Sequence, residues 1–146
     1  HQVQGDWHLL RELILSTTGK IYILLDENTY KYCYSILLQE VAELKRAEII
    51  ELEAGEEHKI LENCVSIWQS MSEDNAGRDS LLINLGGGVI TDIGGFVASI
   101  YKRGRKFVNI PTTLLGMIDA SIGGKTGVDF LGYKNQLGSF QQAELQ

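Results

Sequence analysis

The 146-residue chain has only two cysteines, and it has no apolar stretch long enough to cross a bilayer. Cys33 and Cys64 lie in segments with helical patterns, so buried free thiols in a reducing compartment are expected, with no metal site. The three histidines stand at positions 1, 8 and 58, too scattered to predict a zinc centre. Segment 7–14 is amphipathic and charged, which argues against a secretory signal. These absences predict a cytoplasmic protein with no membrane partner.

Charge is distributed unevenly along a chain whose net charge is −6. Residues 1–79 contain 15 acidic and 7 basic side chains, whereas residues 80–146 contain 4 and 6. The second half is therefore basic, which favours a small anionic ligand bound at one site. It has no basic stripe interleaved with aromatic residues, so no nucleic acid partner is predicted. At 44% hydrophobic and 22% charged, the chain can bury the core of one domain.

Short apolar runs alternate with helical patterns. The runs predict buried parallel strands, and apolar residues at helical spacing predict helices between them. The predicted strands are 20–25, 48–52, 80–85 and 107–110, and the predicted helices are 30–44, 55–71, 89–101 and 112–121. A polar loop is expected at 72–78, and irregular structure is expected after Gly123. Such alternation is typical of right-handed βαβ units, so the predicted fold is α/β, with a Rossmann-like, mostly parallel sheet flanked by helices.

Three segments of ligand-binding character follow predicted strands. They are Asp26, Gly86–Gly88 and Pro111–Thr113, and twelve of the sixteen glycines fall between Gly86 and Gly138. Because parallel strands share one carboxyl edge, where ligands bind, these segments are predicted to form a single site. The three glycines would let backbone amides approach a pyrophosphate, although a tight strand-to-helix turn explains them equally well. Asp26 could hold a ribose hydroxyl or simply cap the next helix.

Other polar residues also have a structural explanation beside a functional one. Glu56 and Lys59 could pair across one helical turn. Asp92 and Asp119 are acids in apolar helices, and they must either pair with a cation or face a cleft, because burying an unpaired carboxylate is costly. Segment 123–126, GGKT, resembles the end of a phosphate loop, but the spacing of the complete loop fails, so nucleotide hydrolysis is not predicted.

Taken in order, these motifs resemble the N-terminal part of the 3-dehydroquinate synthase family. The resemblance covers roughly residues 19–142 and consists of GEEHK, GGGVxxD, GF, YxRG, PTTLL, DxSxGGKTG and KNxxGxF. The wider glycerol-dehydrogenase-like superfamily shares only GGGxxxD and the fold. Three residues depart from the family's usual pattern. Thr91 and Tyr133 stand where glycine is usual, and Asp129 stands where asparagine is usual.

The resemblance implies an NAD- and metal-dependent cyclase of the shikimate pathway. Such enzymes convert 3-deoxy-arabino-heptulosonate 7-phosphate to 3-dehydroquinate and phosphate, and NAD is regenerated in each turnover. The family's zinc or cobalt ligands lie in a helical C-terminal domain, so none is expected in this chain. Residues 1–146 are thus expected to form the NAD-binding domain of a two-domain, homodimeric enzyme and to be inactive alone. The alternatives are a stand-alone nucleotide-binding module and a polyol dehydrogenase domain.

The family's functional residues can be carried over by motif. The positions implied for NAD are Asp26, Asn28, Glu56, Lys59, Gly87, Gly88, Val89, Asp92, Thr112, Thr113 and Lys134. The positions implied for the sugar-phosphate substrate are Asp119, Lys125, Asn135 and Arg103. Of these, Arg103 is expected to reach the substrate phosphate bound by a neighbouring subunit.

Overall fold

The computed structural model describes residues 7–120 and 123–146, and the side chains of residues 119 and 120 lie outside that description. The strands are β1 (Ile21–Asp26), β2 (Glu48–Leu52), β3 (Leu81–Gly86), β4 (Lys106–Pro111), β5 (Lys125–Phe130) and β6 (Tyr133–Phe140). The helices are α1 (His8–Ser16), α2 (Glu27–Thr29), α3 (Ser35–Glu40), α4 (Leu61–Glu73) and α5 (Gly88–Ile100). Single π-helical turns cover Tyr30–Tyr34 and Gly116–Ala120, and 3-10 turns cover Ala42–Arg46, Glu56–His58 and Tyr101–Arg103.

Four strands form a parallel sheet in the order β2-β1-β3-β4. Alternate residues of β1 point to opposite faces. Ile23 packs in one buried cluster with residues of α1 and α3, and Leu24 packs in the other with residues of α4 and α5. Helices therefore cover both faces, as the continuous apolar strands predict. The α/β fold class and all four predicted strands are confirmed.

The polar ladder residues of this sheet explain one glycine of α5. Asn84 of β3 and Asn109 of β4 are buried partners in register, and Asn84 Nδ2 donates to Asn109 Oδ1 at 2.9 Å. Asn84 Oδ1 is buried with no hydrogen-bond partner among the described residues. It faces Gly94, where an added Cβ would collide with the amide. The helix can lie this close to the sheet because position 94 has no side chain.

We therefore expect Gly94→Ala to lower the free energy of unfolding by about 2 kcal/mol, because overpacking outweighs the higher helix propensity of alanine. Gly88→Ala in the same helix is the matched control, since a Cβ there has no described neighbour within 4 Å. Its stability should change by less than about 1 kcal/mol. Urea titration of both variants measures the difference. A Gly94→Ala protein as stable as the control would contradict the packing argument.

Three predicted helices differ from the structure in their bounds. In the segment predicted as a helix over 112–121, Thr112 and Thr113 are not helical, a π-helical turn covers Gly116–Ala120, and residue 121 lies outside the described residues. The segment predicted as one helix over 55–71 contains the 3-10 turn and then an extended Ile60, before α4 begins at Leu61. Ile60 forms a parallel bridge with Asp129, far along the chain, and this pairing interrupts the helix. The helix predicted over 30–44 starts at Glu27 and ends at Glu40, where Val41 leaves the helical region.

The expectation of irregular structure after Gly123 is wrong. Strands β5 and β6 form an antiparallel hairpin in which Gly127 lies opposite Gly138. A Cβ at Gly138 would collide with the carbonyl of Thr126, so these glycines allow two backbones to approach closely. The outer strand is largely exposed, and it shows no clean alternation of apolar and polar residues. A glycine-rich segment without that alternation resembles a loop in the sequence.

Both cysteines are free. Cys64 is fully buried in α4, and burial raises the pKa of its thiol to about 12. Cys33 is only partly buried, so the prediction of two buried thiols is confirmed for Cys64 alone. Among the described residues, none of the helices combines the length and the hydropathy that a bilayer crossing requires.

Candidate active site

The three segments that follow strands do lie at one edge of the sheet. Asp26 ends β1, and Gly86 of β3 pairs in register with Pro111 of β4. The N–H of Thr112 donates to the carbonyl of Gly86 at 3.0 Å, so the two segments after these strands run side by side. Strands β1 and β3 are neighbours between which the chain changes direction, the usual ligand position in such sheets. The predicted convergence at one edge is confirmed.

The glycine turn places the open end of α5 at this edge. Gly87 is extended and α5 begins at Gly88, with no side chain capping the first turn. A Cβ at Gly87 would lie 3.1 Å from Thr113 Cγ2, whereas a Cβ at Gly88 would have no described neighbour within 4 Å. Thr91 is buried, and its hydroxyl donates to the carbonyls of Gly87 and Gly88 at 3.2 and 3.1 Å. The hydroxyl of Thr91, at a position where the family usually has glycine, is therefore hydrogen-bonded within the helix itself.

A cavity of about 700 Å³ opens between the start of α5 and the β5–β6 hairpin. Six of the residues implied by the sequence line it, and they come from four separate parts of the chain. They are Glu56, Lys59, Gly88, Asp92, Lys125 and Asn135. The hairpin that sequence reasoning missed thus forms one wall of the candidate site.

Lys59 connects the walls of this cavity. Its side chain is only 6% exposed, and Nζ lies 2.6 Å from Asp92 Oδ2. The same ammonium donates to Asn135 Oδ1 at 2.7 Å. One buried cation therefore joins the segment after β2, helix α5 and the hairpin. The two readings of Asp92 both hold, since its carboxylate pairs with a cation and also faces the cleft.

A second polar group lies at the rim. Lys134 Nζ is 2.9 Å from Glu56 Oε1, so Glu56 pairs with the hairpin and not with Lys59 as its spacing suggested. The hydrogen bond that Lys134 donates to Glu56 raises the pKa of Lys134, against a smaller opposing effect of burial. Asp129, 3.3 Å away, raises it further. Lys134 and Glu56 are both substantially exposed, so they remain accessible to a ligand.

Asp26 acts as the cap of α2. Its Oδ1 accepts the N–H groups of Asn28 and Thr29, both at 2.9 Å, and Thr29 Oγ1 accepts the N–H of Asp26 at 3.0 Å. The capping alternative is therefore confirmed. Oδ2 makes no hydrogen bond within residues 7–120 and 123–146, so a ligand role is compatible with the cap. Asn28 is exposed at the same edge.

Thr113 has a structural role as well, because its Oγ1 accepts the N–H of Gly116 at 3.0 Å. Lys125 lies at the start of β5, exposed to the cavity, and forms no ion pair with any side chain that the structure describes. The side chain of Asp119 lies outside the described residues. Arg103 is exposed at the far end of α5, in a turn with φ of 68°. A helix of this length spans about 20 Å, so the chain does not bring Arg103 to the cavity.

Three residues of the site were not identified from the sequence as ligand-facing. Thr126 and Ser139 line the cavity from the hairpin, and their hydroxyls lie 2.6 Å apart. Asp129 contacts Lys134 and was singled out only as a departure from the family pattern. A prediction of the hairpin would have placed all three opposite α5. Among the residues that the structure describes, no three His, Cys, Asp or Glu side chains could together hold a metal ion.

A family model and curated relatives point to the same family. The family model described as 3-dehydroquinate synthase N-terminal matches residues 49–145. The 3-dehydroquinate synthase of Parabacteroides distasonis is 46% identical over 121 residues, which are 83% of this chain and 34% of that protein. Residues 1–146 thus span about a third of the length of the curated relatives they match.

Solved structures share the fold. The 2-epi-5-epi-valiolone synthase of Streptomyces hygroscopicus subsp. jinggangensis, with NAD+ and Zn2+ bound, is 35% identical with a TM-score of 0.73, over 90% of this chain and 38% of that one. A 2-deoxy-scyllo-inosose synthase complexed with carbaglucose-6-phosphate, NAD+ and Co2+ is 23% identical with a TM-score of 0.76, over 86% of this chain and 35% of that one. The second likeness supports the fold alone.

Proposed function

Because the chain belongs to the 3-dehydroquinate synthase family, we propose that it is the NAD-binding part of a 3-dehydroquinate synthase. The complete enzyme converts 3-deoxy-arabino-heptulosonate 7-phosphate to 3-dehydroquinate and phosphate. The relatives are about two and a half times as long as this chain, so the proposal places part of the catalytic machinery in residues beyond these 146. This chain alone binds NAD without turnover.

The observation that carries the proposal is the open backbone at Gly88. The N-cap residue of α5 is Gly87, and no side chain among the described residues caps the first turn, so its N–H groups are available at the cavity. Backbone amides at a helix N-terminus suit the negative charge of a pyrophosphate. The absence of a neighbour within 4 Å of a Cβ at Gly88 leaves room for such a group. The described residues therefore fit NAD.

The remaining cofactor roles follow from position. Asp92 lies one helical turn beyond Gly88, where its carboxylate can accept from a ribose hydroxyl while Lys59 holds it. Glu56 and Lys134 contact the cofactor from the opposite rim. NAD is contacted at the turn by backbone groups of Gly87, Val89 and Thr112. It is contacted along the sheet edge by Asp26, Asn28 and Thr113. When bound, NAD supplies the reversible oxidation of a ring hydroxyl.

The substrate roles fall to the second wall of the cavity. Lys125 offers a cation with no ion-pair partner among the described residues, as a sugar phosphate requires. Asn135 orients a substrate hydroxyl. Asp119 also contacts the substrate, as the DxSxGGKTG motif implies. Arg103 binds the phosphate in the cavity of the partner subunit, which makes the enzyme a homodimer.

A divalent metal, zinc or cobalt, belongs to the complete enzyme. The residues that the structure describes provide no ligand set for it. The enzyme is cytoplasmic.

Calorimetric titration of NAD tests the proposal directly. The wild-type chain is expected to bind NAD, and Gly88→Ala is expected to weaken binding tenfold or more, about 1.4 kcal/mol, because the methyl group occupies the space of the pyrophosphate. Gly77→Ala is the matched control. It lies before β3 at the opposite edge of the sheet, and its Cβ would meet only the flexible end of Asp79. Failure of the wild-type chain to bind NAD, or equal affinity in Gly88→Ala, would refute the proposed site.

A further inference from the structure

The hairpin is irregular at the point where it faces the site. Val128 pairs with Leu137 and Phe130 pairs with Tyr133, so the register shifts between them. One residue of β5, Asp129, therefore lies opposite three residues of β6, among them Lys134 and Asn135. The extra residues of such a bulge cannot all pair with the facing strand, and their N–H groups need other acceptors.

Asp129 supplies that acceptor. Its Oδ1 accepts the N–H of Asn135 at 2.9 Å, and its Oδ2 lies 3.3 Å from Lys134 Nζ. Its own N–H donates to the carbonyl of Lys59 at 2.8 Å. The side chain is 16% exposed. A single residue thus contacts Lys134 and Asn135, to which the proposed function assigns ligand contacts, and also Lys59, which holds Asp92.

The hydrogen bond from the N–H of Asn135 to Asp129 matters because of the backbone conformation of Asn135. Its φ is 51°, in the left-handed region, which few residues other than glycine, asparagine and aspartate adopt. In this conformation the N–H of Asn135 points to Asp129 while Oδ1 points to Lys59 Nζ. Loss of the Asp129 acceptor would release both contacts together.

Asp129 is held in its charged form. Burial raises the pKa of its carboxyl group, but the hydrogen bond from the N–H of Asn135 and the ammonium group of Lys134 together lower the pKa below the ordinary value. The titratable groups that face it are Lys134 on β6 and Lys59 in the segment before α4, and Glu56 lies beyond Lys134.

We propose that Asp129 is a positioning residue, which holds the bulge at Lys134 and Asn135 in the geometry that NAD and the substrate require. The inference rests on the proposed function and extends it to a residue that makes no ligand contact of its own. The acceptor oxygen is the essential feature. An asparagine at position 129 retains that oxygen, whereas alanine removes it.

Two variants separate positioning from charge. Asp129→Ala is expected to raise the NAD dissociation constant about tenfold, as the loss of one organising hydrogen bond implies. Asp129→Asn should stay within about threefold of wild type, because it still accepts the N–H of Asn135. Asp79→Ala, at an exposed aspartate on the opposite edge of the sheet, is the matched control and should bind NAD as wild type does.

A spectroscopic measurement tests the contact independently of NAD. The amide proton of Asn135 should shift with pH in the wild-type chain, with a midpoint below the ordinary aspartate value of about 3.9. In Asp129→Asn this shift should vanish, whereas any contribution from Glu56 would persist. If Asp129→Ala does not fold, this comparison still decides the inference.

The outcomes are distinct. Wild-type affinity in Asp129→Ala, or an Asp129→Asn variant as weak as Asp129→Ala, would overturn the positioning role. An Asn135 amide that titrates unchanged in Asp129→Asn would overturn it as well. If the wild-type chain binds no NAD while the Asn135 amide titrates as expected, the proposed function fails and the structural part of the inference stands.

Discussion

Replacing Lys59 by methionine is expected to lower the free energy of unfolding by about 3 kcal/mol, because it removes the buried ammonium group that pairs with the Asp92 carboxylate. The ammonium lies 2.6 Å from Asp92 and 2.7 Å from Asn135 in a nearly inaccessible position. Methionine matches the four-atom stem of lysine and keeps its packing. The loss therefore reports the charge and its hydrogen bonds. Denaturant titration at neutral pH measures it.

Lys134→Met is the matched control for this experiment. Lys134 also contacts two carboxylates, but its side chain is 65% exposed, and an exposed pair contributes only about 0–1 kcal/mol. In the double variant Lys59→Met/Asp92→Leu, part of the lost stability should return, because the carboxylate that has lost the Lys59 ammonium is removed as well. If Lys59→Met and Lys134→Met lower the free energy of unfolding equally, burial of the Lys59 ammonium does not increase its contribution to stability.

Lys125→Ala in the complete enzyme is expected to reduce kcat by about 10²–10³-fold, because a charge aimed at a leaving phosphate stabilises the transition state more than the ground state. Its stability should stay within about 0.5 kcal/mol of wild type, as for other exposed residues. Lys125 is exposed in the cavity and has no ion-pair partner among the described residues. Lys106→Ala, at an exposed lysine that begins β4 on the opposite edge, is the control.

A mixing experiment extends this prediction to Arg103, which lies away from the cavity of its own chain. If Arg103 serves the partner's site, Arg103→Ala and Lys125→Ala enzymes are each inactive, but mixed dimers contain one intact site. Equal mixing should then restore about a quarter of wild-type activity. No recovery after confirmed subunit exchange would show that Arg103 does not act across an interface. Early melting of Lys125→Ala, with normal turnover of the remaining folded enzyme, would make Lys125 structural.

Local sequence was sufficient for the sheet and for the edge at which ligands bind. Segments such as 20–25 and 80–85 are continuously apolar, a pattern that suits a strand buried on both faces. Glycine ends β3 and proline ends β4, and these residues can be read as strand ends without knowing their neighbours. Since parallel strands share a carboxyl edge, the position of Asp26, Gly87 and Thr112 followed from chain order alone.

Contacts between distant segments decided the rest. The break at Ile60 comes from a bridge to Asp129, and the β5–β6 hairpin depends on glycines that allow close backbone approach. Neither leaves a periodic signal in its own segment. The partners of Lys59 lie 33 and 76 positions further along the chain, so its burial and its role as the link between the cavity walls exist only in the folded molecule. Residue types thus predicted which groups can bind an anionic ligand, whereas tertiary packing determined which of them share one cavity and which, like Arg103, do not.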